Sequence, residues 1–175
     1  MIISKIIFHF GSFLKCLYYK IVYGSSFSVG KRVTWRKRFD LMIDKKASVS
    51  IGDNCFFNND CSINALGSID IGSGSIFGEG VKIYDHNHRF NEFDTPLKYQ
   101  GYTIGCVRIG NNCWIGSNVV ILKGASIGDN CVISAGTVIS SVVPEKTIVR
   151  NGEALVFESI RRKSNAPGVS NNGCI

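Results

Sequence analysis

Two of the three histidines of this chain lie within three positions of each other, at His86 and His88, and Asp85 directly precedes them. An imidazole is largely neutral at cellular pH, so either ring can take a proton from a hydroxyl group as a general base. A neighbouring carboxylate can fix the tautomer of such a base. Loops on rigid scaffolds often carry function, and these residues lie in a predicted loop. The alternative is that both histidines are only polar residues of a surface loop.

A six-residue period on both sides of this loop indicates the scaffold. Before the loop, aliphatic or aromatic residues recur at this interval with one shift of two positions, at Ile51, Phe57, Ile63, Ile69, Ile71, Phe77 and Ile83. After it, the pattern continues at Ile109, Ile115, Ile121, Ile127, Ile133 and Ile139. Six residues make a short strand and a turn, and three such units make one coil of about 18 residues in a triangular prism. The period predicts an all-β solenoid from about Val49, with the aliphatic residues inside.

Most of the seven cysteines fit the same repeat. Four fall on the small position four residues after the aliphatic one: Cys55, Cys61, Cys113 and Cys131. Free cysteine behaves there as a small hydrophobic residue, and an inward thiol is no nucleophile. No C-x-x-C pair occurs, so no metal site is expected. This usage is typical of a reducing cytoplasm.

The segment from Met1 to Tyr23 is apolar and aromatic, with lysines spaced through it. Its apolar residues recur at helical spacing, and no apolar run reaches the ~18–20 residues that a membrane span needs. We expect an amphipathic helix that packs on the rest of the chain. The alternative is a helix that rests on the inner face of the cytoplasmic membrane, beside the basic stretch from Lys31 to Lys46.

Composition indicates one globular domain, since the 175 residues are 45% hydrophobic and 19% charged. The net charge is +7, but no nucleic-acid motif surrounds the basic stretch, and no nucleic-acid partner is expected. We expect a helical and basic segment over 1–44, a β-helix over 45–150 with a loop at 86–106, and a tail over 151–175.

The hexads resemble those of the left-handed parallel β-helix acyltransferases. The segment from Val107 to Val138 is similar to the maltose and galactoside acetyltransferase group, and Ile83 to His88 is similar to bacterial polysaccharide and O-antigen O-acetyltransferases. The resemblance implies a left-handed parallel β-helix, acetyl-CoA as co-substrate and a homotrimer. It also implies a saccharide acceptor, a hydroxyl of a surface polysaccharide or its precursor.

The resemblance also implies residue roles. His88 matches the family's general base, while His86 stays open because loop lengths vary, and Asp85 would orient one of them. Asn58 matches an acceptor-side asparagine that holds a hydroxyl or the oxyanion, or it is a plain corner residue. Trp114 matches a tryptophan near the coenzyme, or it makes a subunit contact. The other implied coenzyme positions are Gly116, Ser117, Ala135, Gly136 and Ser140.

The sequence departs from the family where the coenzyme's 3′-phosphate is bound. Ser141 and Leu155 stand where basic residues are expected, and Arg150 or the run Arg161-Arg162-Lys163 could substitute for them. Two other functions stay open. One is acetylation of a small non-sugar acceptor or drug, and the other is a catalytically silent β-helix that serves as a scaffold.

Overall fold

The computed structural model describes residues 2–150, and for residues 2–10 it describes only the helical backbone. One α-helix, α1 (Ile2–Tyr23), precedes nineteen short strands, and two short 3₁₀ helices lie at Gly24–Ser26 and Leu97–Tyr99. In chain order these are β1 Phe27–Val29, β2 Thr34–Trp35, β3 Asp40–Ile43, β4 Ser48–Ile51, β5 Phe56–Phe57, β6 Ser62–Ala65, β7 Ser68–Ile71, β8 Ile76–Phe77, β9 Lys82–Tyr84, β10 His86–His88, β11 Tyr102–Ile104, β12 Cys106–Ile109, β13 Trp114–Ile115, β14 Val120–Ile121, β15 Ser126–Ile127, β16 Val132–Ile133, β17 Val138–Ile139, β18 Val142–Val143 and β19 Ile148–Val149.

The strands form three parallel sheets, which are the faces of a prism. Face A contains β1, β4, β7, β12, β15 and β18; face B contains β2, β5, β8, β13, β16 and β19; face C contains β3, β6, β9, β14 and β17. Each strand pairs with the equivalent strand of the next coil, so the inward residues stack in columns. All thirteen aliphatic and aromatic residues of the hexad pattern are buried. The predicted β-helix is confirmed.

The prism begins earlier than the boundary at residue 45 that the hexads indicated. Phe27 pairs with Val49, so β1 to β3 form a full coil inside the segment assigned to 1–44. Trp35 and Phe39 from this segment are buried in the core. The sequence separation between Phe27 and Val49 is not a multiple of six, unlike the separation between equivalent strands in the regular coils after the loop. Within the first coil, Val29, Trp35 and Leu41 keep the six-residue interval, but the separation from Leu41 to Ile51 is not a multiple of six, so this coil is out of phase with the hexads that follow.

Helix α1 covers the open end of this first coil. The Ser12 hydroxyl accepts a hydrogen bond from Trp35 N at 2.8 Å and donates one to Trp35 O at 3.1 Å. The hydroxyl of Tyr23 donates to Leu41 O at 2.8 Å, and the buried ring of Tyr19 contacts the rings of Trp35 and Phe39. An open strand edge would otherwise be free to pair with another chain. The expected packing of the helix is confirmed. Among residues 2–150, no helix is long and apolar enough to cross a membrane.

The corners between faces A and B and between faces B and C need left-handed backbone angles, and asparagine or glycine supplies most of them. At the corner between faces A and B, the residues with positive φ are Arg32, Asn54, Gly74, Asn112, Asn130 and Lys146. At the corner between faces B and C, they are Arg38, Asp60, Gly80, Asn118 and Gly136. These residues explain why the polypeptide turns at the same place in every coil.

The asparagine corners make a testable prediction about stability. Asn130 has φ 58°. Asn130→Val is expected to lower the free energy of unfolding by about 1–2 kcal/mol, because a branched side chain disfavours that angle. Asn130→Gly is the matched control and should stay within about 0.5 kcal/mol of the wild type. Urea denaturation measures both, and equal losses would show that the backbone angle is not the cause.

Candidate active site

Asp85 anchors the base of the loop at the corner between faces C and A. Its carboxylate is fully buried and accepts hydrogen bonds from Leu66 N at 2.9 Å and Gly67 N at 2.7 Å. Gly105 N donates to Asp85 O at 2.8 Å where the loop returns to the prism. Asp85 therefore ties both ends of the loop to the preceding coil.

From this anchor the chain leaves the prism as a two-stranded antiparallel ribbon of β10 and β11. His86 lies opposite Ile104, and His88 lies opposite Tyr102. The ring centroid of Tyr102 is 5.3 Å from that of His86 and 4.5 Å from that of His88. Because alternate residues of a strand share a face, both histidines lie on the same side of the ribbon. The structure thus brings Asp85, His86 and His88 together.

The two histidines differ in environment. Nδ1 of His86 lies 3.1 Å from Oδ1 of Asp85, and only 14% of the His86 side chain is exposed. A carboxylate oxygen is a hydrogen-bond acceptor, so this geometry favours the tautomer in which Nδ1–H of His86 donates a hydrogen bond to Asp85 Oδ1. The ring of His88 is exposed, and within the described chain neither of its nitrogens has a hydrogen-bond partner. His88 is the more accessible base, and His86 is held in place.

Beyond the ribbon, Gln100 fixes the shape of the loop. Its side chain is buried, and its Nε2 donates to Glu92 O at 2.9 Å and to Thr95 O at 2.7 Å. Arg89 Nε donates to Tyr102 O at 3.1 Å across the ribbon. Gln100 was not predicted from the sequence, since a lone glutamine among loop residues carries no pattern. The large apolar side chains exposed on this part of the loop, beyond the ribbon, are Phe90, Phe93, Leu97 and Tyr99.

The other predicted site residues lie elsewhere on the prism. Five are at the corner between faces B and C: Asn58, Gly116, Ser117, Ala135 and Gly136. Trp114 is 56% exposed on face B, and Ser140 follows β17 at the corner between faces C and A. Within one protomer, face C separates the histidines from Asn58. The structure therefore brings only Ser140 to the same corner as the histidines.

Two of the glycines predicted to lie beside the coenzyme, Gly116 and Gly136, also have a structural role in the stacking of the coils. Gly116 is buried, and a Cβ there would lie 2.6 Å from Ala135 N in the next coil, which is too close for any side chain. Gly136 has φ 72° and donates its N–H to Ser117 O at 2.8 Å. Ala135 and Gly136 are exposed, so an extended ligand can approach the main chain at this corner.

The four repeat cysteines are buried, which makes a prediction about their reactivity. Burial raises the pKa of the Cys61 thiol to about 11, and this thiol donates to Gly78 O at 3.1 Å. Compared with a thiol of unperturbed pKa 9.0, the thiolate fraction at pH 8 is about a hundredfold lower. We expect iodoacetamide to label Cys61 at least about tenfold more slowly in the native protein than in urea. Mass spectrometry at pH 8 measures this, and equal rates would mean that the thiol is exposed.

Two family models match the chain. The model for the bacterial transferase hexapeptide (six repeats) matches residues 106–141, and the model for the hexapeptide repeat of succinyl-transferase matches residues 48–85. A probable acetyltransferase of Mycobacterium tuberculosis is 32% identical over 114 residues, which are 65% of this chain and 38% of that protein. The chain spans between 38% and 63% of the length of the curated relatives that it matches.

Two solved structures share the fold and part of the sequence. A maltose O-acetyltransferase from Clostridium difficile has 29% identity and a TM-score of 0.63, over 82% of this chain and 75% of that one. A galactoside acetyltransferase in complex with coenzyme A has 26% identity and a TM-score of 0.62, over 81% and 70%. The stacked hexapeptide coils of this chain are the feature that the family models and both solved structures have in common with it. In both matched segments and in its fold, the chain is similar to the hexapeptide-repeat acetyltransferases.

Some expectations fall on residues outside the described part of the chain. They are Leu155, the run Arg161-Arg162-Lys163 and the tail over 151–175. Ser141, next to β18, and Arg150 are both exposed. Within residues 2–150, no group of three or more His, Cys, Asp or Glu side chains is placed to hold a metal ion.

Proposed function

We propose that this protein is an O-acetyltransferase that uses acetyl-CoA to acetylate a sugar hydroxyl, with His88 as the general base. The observation that carries the proposal is the exposed ring of His88 on a ribbon anchored by buried Asp85. The similarity to a maltose O-acetyltransferase and to a coenzyme A-bound galactoside acetyltransferase supports the co-substrate and the acceptor class. The acceptor is a surface polysaccharide or its precursor.

Acetyl-CoA supplies the acetyl group as an activated thioester. A ring nitrogen of His88 takes the proton from the acceptor hydroxyl while that oxygen attacks the acetyl carbon. The same imidazolium returns its proton to the sulfur as the carbon–sulfur bond breaks. His86 and Asp85 hold the ribbon, and so they position His88. The four repeat cysteines cannot serve as nucleophiles, because they are buried inside the prism.

The site needs a second protomer. Asn58 and the coenzyme residues of the corner between faces B and C lie across face C from His88. In a homotrimer of parallel prisms, this corner of one protomer would meet the ribbon of its neighbour. Asn58 would then bind the acceptor hydroxyl or the oxyanion, and Trp114 would line the coenzyme groove. The backbone at Ser117, Ala135 and Gly136 is at least partly exposed to an extended pantetheine arm, and Gly116 and Ser140 would lie beside that arm.

Incubation of the full chain with acetyl-CoA and a panel of acceptors tests the proposal. The panel contains maltose, a galactoside, a nucleotide sugar, an undecaprenyl-linked saccharide and chloramphenicol. We expect an acetylated sugar, detected by mass spectrometry, that is absent with His88→Ala. Transfer to chloramphenicol alone would assign a drug acceptor instead. No transfer to any acceptor, with no binding of acetyl-CoA in calorimetry, would identify a silent scaffold.

A further inference from the structure

We infer that the capped end of the prism is a docking surface for an anionic lipid membrane. The inference begins with the outer face of α1. The residues of α1 that face the prism are Ser12, Cys16, Tyr19 and Tyr23, which are buried or partly buried. The opposite face carries six large apolar side chains that are between 47% and 74% exposed: Phe13, Leu14, Leu17, Tyr18, Ile21 and Val22.

This arrangement is the reverse of an ordinary surface helix, which presents polar residues to water. At about 100° per residue, the six apolar side chains cover about half of the helix circumference, centred opposite the buried face. Lys15 and Lys20 lie at the two edges of this arc. Lys15 Nζ turns to the prism and donates to Phe39 O, whereas Lys20 is exposed and its long stem can reach polar head groups. A contiguous apolar patch of this kind indicates an interaction surface.

The first coil, on which α1 packs, carries many positively charged side chains. Each of its three corners carries exposed cations: Lys31 and Arg32, then Arg36, Lys37 and Arg38, then Lys45 and Lys46. Residues 11–50 contain nine Lys or Arg and two Asp, whereas residues 51–150 contain seven Lys or Arg and nine Asp or Glu. The positive charge is therefore concentrated at the capped end.

The positive charge favours a membrane over a second copy of the chain as the partner of this surface. A second copy would bring a like ring of cations against the first, and the two would repel each other. A bilayer with anionic head groups attracts the ring and receives the apolar side chains of α1 between its lipids. Such docking would place the ribbon of His88 near a membrane-bound acceptor, but it does not depend on the transfer reaction.

Flotation of the full chain with lipid vesicles tests the inference. At 100 mM salt, we expect at least about tenfold stronger binding to vesicles with 30% phosphatidylglycerol than to pure phosphatidylcholine, and weaker binding at 500 mM salt. The variant Leu14→Gln, Leu17→Gln and Ile21→Gln should bind at least about tenfold more weakly. The matched control Val142→Gln and Ile148→Gln changes exposed apolar residues of other faces and should bind like the wild type.

A second pair of variants tests the charge without touching the helix. Lys37→Glu with Lys46→Glu should weaken binding to the anionic vesicles at least about tenfold, whereas Lys98→Glu with Lys146→Glu, with the same change in net charge, should not. Absence of wild-type binding, or equal effects of both pairs, would overturn the inference. A change in oligomer mass of the α1 variant without lipid would assign the face to contact between copies, and would also overturn it. Acetyl transfer to a soluble sugar reports separately on the proposed function.

Discussion

Replacing His88 by alanine is expected to lower kcat for acetyl transfer by about 10²–10⁴-fold, the contribution typical of a general base. The ring of His88 is exposed and its nitrogens are unpaired within the described chain, so the substitution removes a proton acceptor and little packing. We therefore expect the thermal midpoint and the oligomer mass to stay unchanged. Steady-state kinetics with acetyl-CoA and the best acceptor measure kcat and KM separately.

His86→Ala is the matched control on the same face of the ribbon. His86 is bonded to Asp85 and contacts Tyr102, so its loss should disturb the position of His88 and reduce kcat less than His88→Ala does. A slow rate in His86→Ala together with a normal rate in His88→Ala would reverse the assignment, because Nε2 of His86 would then be the base. Normal rates in both variants would remove the general-base proposal.

The second large effect is expected at Asp85. Asp85→Ala leaves Leu66 N and Gly67 N without their acceptor in a buried place and frees His86 Nδ1. Each unsatisfied buried donor costs about 1–3 kcal/mol, so we expect the free energy of unfolding to fall by about 2–5 kcal/mol. We also expect lower activity, because the base of the ribbon loosens. Urea denaturation monitored by circular dichroism gives the first quantity.

Asp85→Asn removes the charge of the side chain and keeps its shape. The amide oxygen can accept a hydrogen bond from one of the two backbone N–H groups. The amide nitrogen is itself a donor and cannot accept a hydrogen bond from the other N–H group. We therefore expect a loss of stability between those of the wild type and Asp85→Ala. An exposed carboxylate such as Glu79 provides the control, and Glu79→Ala should change the free energy of unfolding by less than about 0.5 kcal/mol. Full stability of Asp85→Ala would mean that these hydrogen bonds do not hold the loop.

The hexad pattern predicted the prism correctly from about Val49 onwards, but it missed the first coil. The separation of the paired residues Ile109 and Ile127 is a multiple of six, and the hexads there are plain. The separation of Phe27 and Val49 in the first coil is not, so its buried residues fall out of phase with the repeat. Its aromatic core residues, Trp35 and Phe39, also lie among cations. The pairing of strands shows that this basic segment is part of the solenoid.

The candidate site was predictable in its residues but not in its geometry. The pair of histidines beside Asp85 was visible, because three ionisable residues interrupt a strict repeat. The sequence could not show that the Asp85 carboxylate is bonded to the backbone of a residue in the preceding coil, since that contact spans 19 positions without a pattern. Nor could it show that face C separates Asn58 from the histidines, which depends on which corner each hexad reaches.

The pairing of Ile69 with Val107 across the loop has a consequence for how such proteins can diverge. These two residues are much farther apart in sequence than Ile109 and Ile127, and the excess equals the length of the segment 86–105. Strands β7 and β12 thus stack in register as though this segment were not there. Its length is free of the constraint that keeps the corners between faces A and B, and between faces B and C, at the same length in every coil. A new acceptor preference can arise by changing this one segment, while the prism that carries it keeps its own register.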